Sequence, residues 1–60
     1  MLVRDLQTIY LDKFEIYTSI EDEYKTLYKG EKENIPAELL DRKVRGVAAK
    51  RKGLLDIWIY

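Results

Sequence analysis

The chain has 60 residues, with 11 basic and 11 acidic side chains and neither histidine nor cysteine. So short a chain predicts one domain, residues 1–60, and its 47% apolar content excludes a disordered or low-complexity protein. The missing cysteine excludes disulfides and thiolate zinc sites, and the missing histidine removes the commonest general base and neutral metal ligand. We therefore expect no cofactor and no metal centre.

The N-terminal residues lack the pattern of a secretory signal, because acidic Asp5 follows Met1 closely and no apolar run develops. No stretch approaches the roughly 20 apolar residues that a membrane span requires. We expect a chain that does not enter a membrane and that works in the cytoplasm.

Residues 2–10 have the spacing of a short helix. Leu2, Leu6 and Ile9 fall at i, i+4 and i+7 and would share one helix face. A strand is the alternative interpretation, because the segment ends in side chains that favour strands.

Residues 13–18 alternate apolar and polar side chains, which predicts a half-buried strand with Tyr17 facing outward. A polar turn over residues 19–23 and a second strand over residues 24–29 follow. The two strands predict an antiparallel hairpin with a loop of about five residues.

A second short helix is predicted over residues 35–42. Pro36 has the backbone angle of a first helical residue and no N–H to leave unpaired. Either Ile35 or Asn34 could hold the N-cap position, and the sequence does not separate them. Glu38 would lie in the first turn, where the helix dipole favours an acidic side chain.

A second hairpin is predicted from strands over residues 43–50 and 54–60, joined by a turn that ends in Gly53. The order helix, hairpin, helix, hairpin predicts a small single-domain α+β fold. Its sheet would have three or four strands and be mainly antiparallel.

The last strand predicts which rings remain outside the core. If Leu55, Ile57 and Ile59 point inward, Trp58 and Tyr60 point outward. Two short helices cannot cover both faces of four strands, so these rings would form part of an exposed apolar patch. The alternative is that the helices bury them.

The tyrosines of the second strand extend this pattern. Tyr24 and Tyr28 are expected on one face of their strand, opposite Leu27.

Two sequence motifs carry a resemblance to a known group of proteins. The chain has V-R-D-L at residues 3–6 and I-P-A-E-L-L-D at residues 35–41, with an acidic hairpin between them and an apolar last strand. In these features it resembles short uncharacterised phage and prophage proteins of Gram-positive bacteria. The resemblance covers most of the chain and implies a phage-encoded accessory protein of a bacterial cytoplasm, with no catalytic residue to carry over. The basic run at residues 50–52 departs from these relatives, so no charge-based function is transferred.

Charge is unevenly distributed along the chain. Residues 1–41 hold 5 basic and 10 acidic side chains, a net charge of −5, whereas residues 42–60 hold 6 basic side chains and one acidic, a net charge of +5. Such halves attract each other within one fold or between two copies, which makes a homodimer one of the expected states.

The acidic turn Glu21, Asp22 and Glu23 could meet a basic protein partner. A cation site is a weaker interpretation, because the spacing matches no EF-hand. Mimicry of a DNA backbone is weak too in a chain of zero net charge. An ordinary solvated turn is the plain alternative.

The basic residues of the second hairpin give an alternative function, nucleic-acid binding. Cationic side chains would contact phosphates, and nearby rings would stack on bases. The residues are Arg45, Lys50, Arg51 and Lys52. A solvated hairpin that keeps an edge strand from pairing is the structural alternative.

Catalysis is not predicted. Glu21 and Glu23 lie on a polar turn where nothing would separate their pKa values, and Ser19 has no histidine to activate it. We therefore expect a protein that is not an enzyme.

The sequence as a whole predicts a protein-binding accessory protein that acts by stoichiometric occlusion. Tyr17, Trp58 and Tyr60 are the expected anchors, and the acidic turn would steer the partner. A host antiviral nuclease is one candidate target, as for anti-CRISPR proteins. A purely structural homo-oligomer is a further alternative.

Overall fold

A computed structural model describes residues 1–8 and 11–60, apart from the side chain of Lys50. Four strands form one sheet, and short helical segments precede and connect them. The strands are β1 (Lys13–Ile20), β2 (Glu23–Glu31), β3 (Val44–Arg51) and β4 (Leu54–Ile59). The helical segments are the 3-10 helices Val3–Thr8 and Lys32–Asn34 and the single-turn helix α1 (Ala37–Leu40).

The strand order is β2-β1-β4-β3, which makes a mixed sheet. The two hairpins are antiparallel, but the central strands β1 and β4 run parallel, with Phe14 beside Leu55 and Ile16 beside Ile57. Because β2 and β3 are the two edges, residues 32–43 must cross the sheet between them. The hairpin patterns in the sequence did not predict this parallel pair.

The core lies on one face of the sheet, called here the inner face. Its fully buried side chains are Val3, Phe14, Ile16, Ile57 and Ile59. Leu6, Ile35 and Leu39 come from the segments outside the sheet and complete the same cluster. Each such side chain contributes about 1.5–3 kcal/mol when removed from water.

The predicted α+β arrangement of helix, hairpin, helix, hairpin is wrong, because the chain is mostly sheet and has only short helical segments. The first of them is a 3-10 helix in which Val3 and Leu6, three residues apart, face the core. Leu2 instead forms a bridge with Lys43. Ile9, the third member of the predicted helix face, lies outside the described residues.

The second predicted helix is a single turn rather than residues 35–42. Pro36 occupies the N-cap position with φ −54° and ψ 138°, so neither predicted cap residue holds it. Ile35 is extended and buried in the core instead. The apolar residues of this segment therefore cover the sheet without needing a longer helix.

The turn between β1 and β2 has two residues, not five. Ile20 pairs with Glu23, and the intervening Glu21 and Asp22 have φ of 50° and 66°. Positive φ at both central positions is typical of a type I′ turn, which favours Asn-Gly. Glu is a poor residue for this left-handed conformation, so the turn carries local strain.

A bulge in β2 separates its two tyrosines. The register passes from Ile16–Tyr28 to Tyr17–Thr26, which leaves Leu27 as the extra residue. Tyr28 therefore packs against the core, whereas Tyr24 lies on the other face. The prediction that they share a face was wrong because the bulge breaks the alternation.

Replacing the strained turn should stabilise the protein. The double variant Glu21→Asn with Asp22→Gly is expected to raise the free energy of unfolding by about 1–2 kcal/mol, because both residues tolerate positive φ. Urea denaturation measures the change. The matched control is Gly53→Ala, where φ is 74° and a side chain is strained, and it should lose about 1 kcal/mol. Equal stability of the double variant and the parent would contradict the turn geometry.

Candidate functional site

The open face is the side of the sheet opposite the core. It carries Glu15 and Tyr17 from β1 next to Asp56 and Trp58 from β4, because the parallel register pairs them directly. The described helical segments place their buried side chains in the core on the inner face. On the open face Glu15 and Asp56 are buried, and Tyr17 and Trp58 are half-buried.

A ring cluster lies at the centre of the open face, formed by Tyr17, Tyr24 and Trp58. Tyr17 stacks on Trp58 with ring centroids 5.3 Å apart and an angle of 19° between the planes. Tyr24 meets Trp58 edge-on at 6.2 Å and 64°. Such pairs contribute about 0.5–1.5 kcal/mol each beyond their buried area, so the rings are held in place before any partner binds.

The indole Nε1 of Trp58 is buried and has no hydrogen-bond partner among the described residues. An unsatisfied buried donor costs about 1–3 kcal/mol.

Beside the rings lies an ion cluster of Glu15, Arg51 and Asp56. The Arg51 Nη2 donates to Glu15 Oε1 at 2.7 Å, to Asp56 Oδ1 at 2.5 Å and to the Tyr17 hydroxyl at 3.1 Å. Tyr17 donates in turn to Asp56 Oδ1, and the Thr26 hydroxyl donates to Glu15 Oε2. Glu15 and Asp56 are buried, with 8% and 4% of their surface exposed, so one guanidinium from β3 compensates two buried carboxylates.

These contacts set the protonation states of the cluster. The hydrogen bond from Arg51 lowers the pKa of Glu15 below its ordinary value, although burial acts in the opposite direction. Burial, together with the two neighbouring carboxylates, raises the pKa of Tyr17. At neutral pH the cluster therefore holds an ionised Glu15 and a neutral phenol.

The acidic tip, Glu21, Asp22 and Glu23, closes the β1–β2 hairpin and is solvent-exposed. Tyr24 follows it with 66% of its surface exposed and links the tip to the ring cluster. An open depression of about 500 Å³ lies here. Its lining residues are Ile20, Glu21, Glu23, Tyr24, Lys25 and Thr26.

The structure brings together two of the three predicted anchors. Tyr17 and Trp58 stack, but Tyr60 follows the end of β4, is 70% exposed and is held through its backbone by Arg42 and Lys43. Tyr24 takes the third place in the ring cluster. Sequence reasoning missed it because the β2 bulge reverses the face on which Tyr24 lies.

The predicted basic group is divided by the strand that carries it. Arg45 and Arg51 lie near opposite ends of β3, about 20 Å apart at the usual rise per residue. Arg51 belongs to the ion cluster, and Lys52 is exposed in the turn that follows. The side chain of Lys50 lies outside the described part of the chain.

Within residues 1–8 and 11–60, no three acidic side chains are grouped to hold a metal ion, and no helix has the length and hydropathy of a membrane span. The chain matches no family model, no curated protein and no solved structure. Support for a function therefore comes from the geometry of the open face.

Removing the arginine of the ion cluster should destabilise the fold. Arg51→Met leaves two buried carboxylates without their cation, a change that costs about 3–5 kcal/mol in a fully buried site. Because the Arg51 side chain is 47% exposed and solvent screens its charge, we expect a loss at pH 7 that is well below that range, measured as the free energy of unfolding in urea denaturation. Arg45→Met, an exposed position on the same strand, is the matched control and should change stability little.

The pH dependence of the stability lost in Arg51→Met follows from the direction in which the pKa of Glu15 is shifted. A carboxyl group whose pKa is lower in the folded state stabilises the fold above its unfolded pKa, and this contribution disappears as the pH falls through the folded pKa. The stability difference between the parent and Arg51→Met should therefore be largest near neutral pH and shrink below about pH 4. A difference that stays constant from neutral to acidic pH would show that the ion cluster is not formed.

Proposed function

We propose that this chain is a non-enzymatic protein that binds a protein partner, stoichiometrically, through its open face. The ring cluster provides the contact surface, and the acidic tip selects a partner with a basic surface beside an apolar one. The observation that supports this most strongly is the stacked Tyr17–Trp58 pair on the side of the sheet opposite the core, next to an exposed acidic turn.

The ring cluster has the properties of a binding anchor. Tyrosine and tryptophan are among the residues that contribute most to protein interfaces. Tyr17 and Trp58 are already fixed by stacking and by the Tyr17 hydrogen bonds, so little side-chain entropy is lost when a partner packs on them.

The charges around the rings favour a protein partner over a nucleic acid. Three exposed acidic residues adjoin Tyr24 and would repel phosphates that approach the ring cluster. Arg51, which contacts the Tyr17 hydroxyl, is already paired with two carboxylates. The same acidic tip attracts a basic protein surface and accelerates its association.

A binding role also fits the chemistry of the polar groups. Glu15 and Asp56 both accept from Arg51, and the raised pKa of Tyr17 keeps its phenol neutral. A general acid or base needs a pKa near the working pH and access to a substrate. The ion cluster is therefore better suited to holding three strands together than to proton transfer.

The resemblance to phage and prophage accessory proteins extends the proposal to a biological setting. Such a protein would work in the cytoplasm of a bacterial host and bind a host factor, such as an antiviral nuclease. Its mechanism would be occlusion, in which the open face covers a basic functional surface of the target.

Tyr24 and Tyr60 provide a matched pair for testing the binding face. Both are exposed tyrosines, but only Tyr24 contacts Trp58 in the described structure. Tyr24→Ala should weaken binding of a captured host protein by about tenfold or more, the range expected of an interface anchor. Tyr60→Ala should bind like the parent.

The measurement is affinity capture from a Gram-positive host lysate with the tagged chain, followed by calorimetry with the purified captured protein. Circular dichroism confirms that both variants fold. Equal affinities for the two variants would mean that the open face is not the binding site.

A further inference from the structure

We propose that the open face binds a second copy of this chain, with two copies packed face to face about a two-fold axis parallel to the strands. The inference rests on the proposed function and names a partner for the same site. A second copy offers the chemistry that this site requires, an apolar surface with basic residues beside it.

Charge complementarity is the first support. The acidic tip lies where β1 ends, on the β2 side of the sheet, and β3 begins at that same end on the other side. Arg42, Lys43 and Arg45 are exposed where β3 begins. A two-fold rotation about an axis along the strands places the acidic tip of each copy over the basic residues of the other. The same pairing forms twice, as a two-fold interface requires.

The shape of the open face, with one projecting part and one low part, is the second support. Tyr24 projects from β2 on one side of Trp58, whereas Gly46 lies beside Trp58 on β3. A Cβ at Gly46 would meet nothing within 4 Å, and this glycine does not need positive φ. Gly46 adjoins the register shift between Val44 and Gly46, where a strand glycine is common, and its missing side chain leaves a low place beside Trp58 that another chain can approach.

The proposed rotation places the projecting Tyr24 of one copy over the low part at Gly46 of the other copy. Because Tyr24 pairs with Ser19 and Gly46 with Trp58, the two lie two residue positions apart along the strands, about 7 Å. A tyrosine side chain can span that offset. Near the axis, Tyr17 of one copy opposes Trp58 of the other, so the two ring clusters pack on each other.

The size of the face predicts a weak dimer. Four strands about 4.8 Å apart, each about 20 Å long over six residues, give a face of about 400 Å². Stable complexes bury about 800 Å² on each partner, so we expect a dissociation constant in the micromolar range. A host partner of the same chemistry would compete with the second copy for this surface.

Sedimentation equilibrium from about 10 µM to about 1 mM tests the dimer directly, because this range spans micromolar association. The parent chain should change from monomer to dimer across it. Gly46→Leu fills the low part of the open face and should raise the dissociation constant by about tenfold or more, a typical effect of disturbing a packed interface centre. Val47→Leu is the control, because Val47 is the neighbouring position and pairs with Ile57 of the core. This substitution should leave the dissociation constant of the dimer unchanged.

Charge reversal tests the orientation of the two copies. E23R and R45E should each weaken association, because each places like charges opposite one another in both symmetric contacts. An equimolar mixture of E23R and R45E chains should recover the dimer, since both contacts are again between opposite charges. Such recovery also shows that the single variants are folded.

A parent chain that stays monomeric at about 1 mM would overturn the inference, because even weak specific dimers form at that concentration. So would a dimer that is insensitive to Gly46→Leu and to both charge variants. If the chain is monomeric and Tyr24→Ala still weakens binding to a captured host protein, the proposed function stands and only this choice of partner fails. If Tyr24→Ala changes neither the self-association of the chain nor its binding to a captured host protein, the proposed function fails as well.

Discussion

Parallel pairing between β1 and β4 determines both faces of this small sheet. The register that joins Phe14 to Leu55 and Ile16 to Ile57 builds the core, and it also joins Tyr17 to Trp58 on the other side. If one of these strands slipped by one residue, its core side chains would move to the open face and its open-face side chains to the core, because side chains in a strand alternate. The buried core and the candidate binding surface are therefore two consequences of one register.

The ion cluster is well placed to maintain that register. No tight turn joins β1 to β4, so the pairing depends on contacts between residues distant in sequence. Arg51 reaches from β3 to Asp56 on β4 and to Glu15 on β1, and so ties three strands together. Buried ion pairs add little net stability but penalise arrangements that leave a charge unpaired. The cluster thus fixes the geometry in which the rings stack.

Local alternation in the sequence was enough to predict the sidedness of the last strand. Leu55, Ile57 and Ile59 are buried as expected, and Trp58 stacks with Tyr17 on the opposite face. The fold class was wrong because short apolar spacings resemble helices, although here they belong to segments that only cover the sheet. A period of three or four residues over so few positions does not distinguish a single turn from a full helix.

The missed features all depend on contacts between distant parts of the chain. The parallel pair, the bulge at Leu27 that turns Tyr24 toward Trp58, and the approach of Arg51 to Glu15 have no local signature. Each is decided by tertiary packing, which overrides the simple strand period. The candidate site was therefore only partly predictable: the Tyr17–Trp58 pair follows from alternation, but its third ring and its ion cluster do not.

Nuclear Overhauser effects from the indole protons of Trp58 test the shared register most directly. If β1 and β4 pair as described, these protons should show contacts to the ring protons of Tyr17 and Tyr24, whose centroids lie 5.3 and 6.2 Å from that of Trp58. Contacts from the indole to Val3 or Leu6 would instead place Trp58 in the core, and the open face would then lack its central ring.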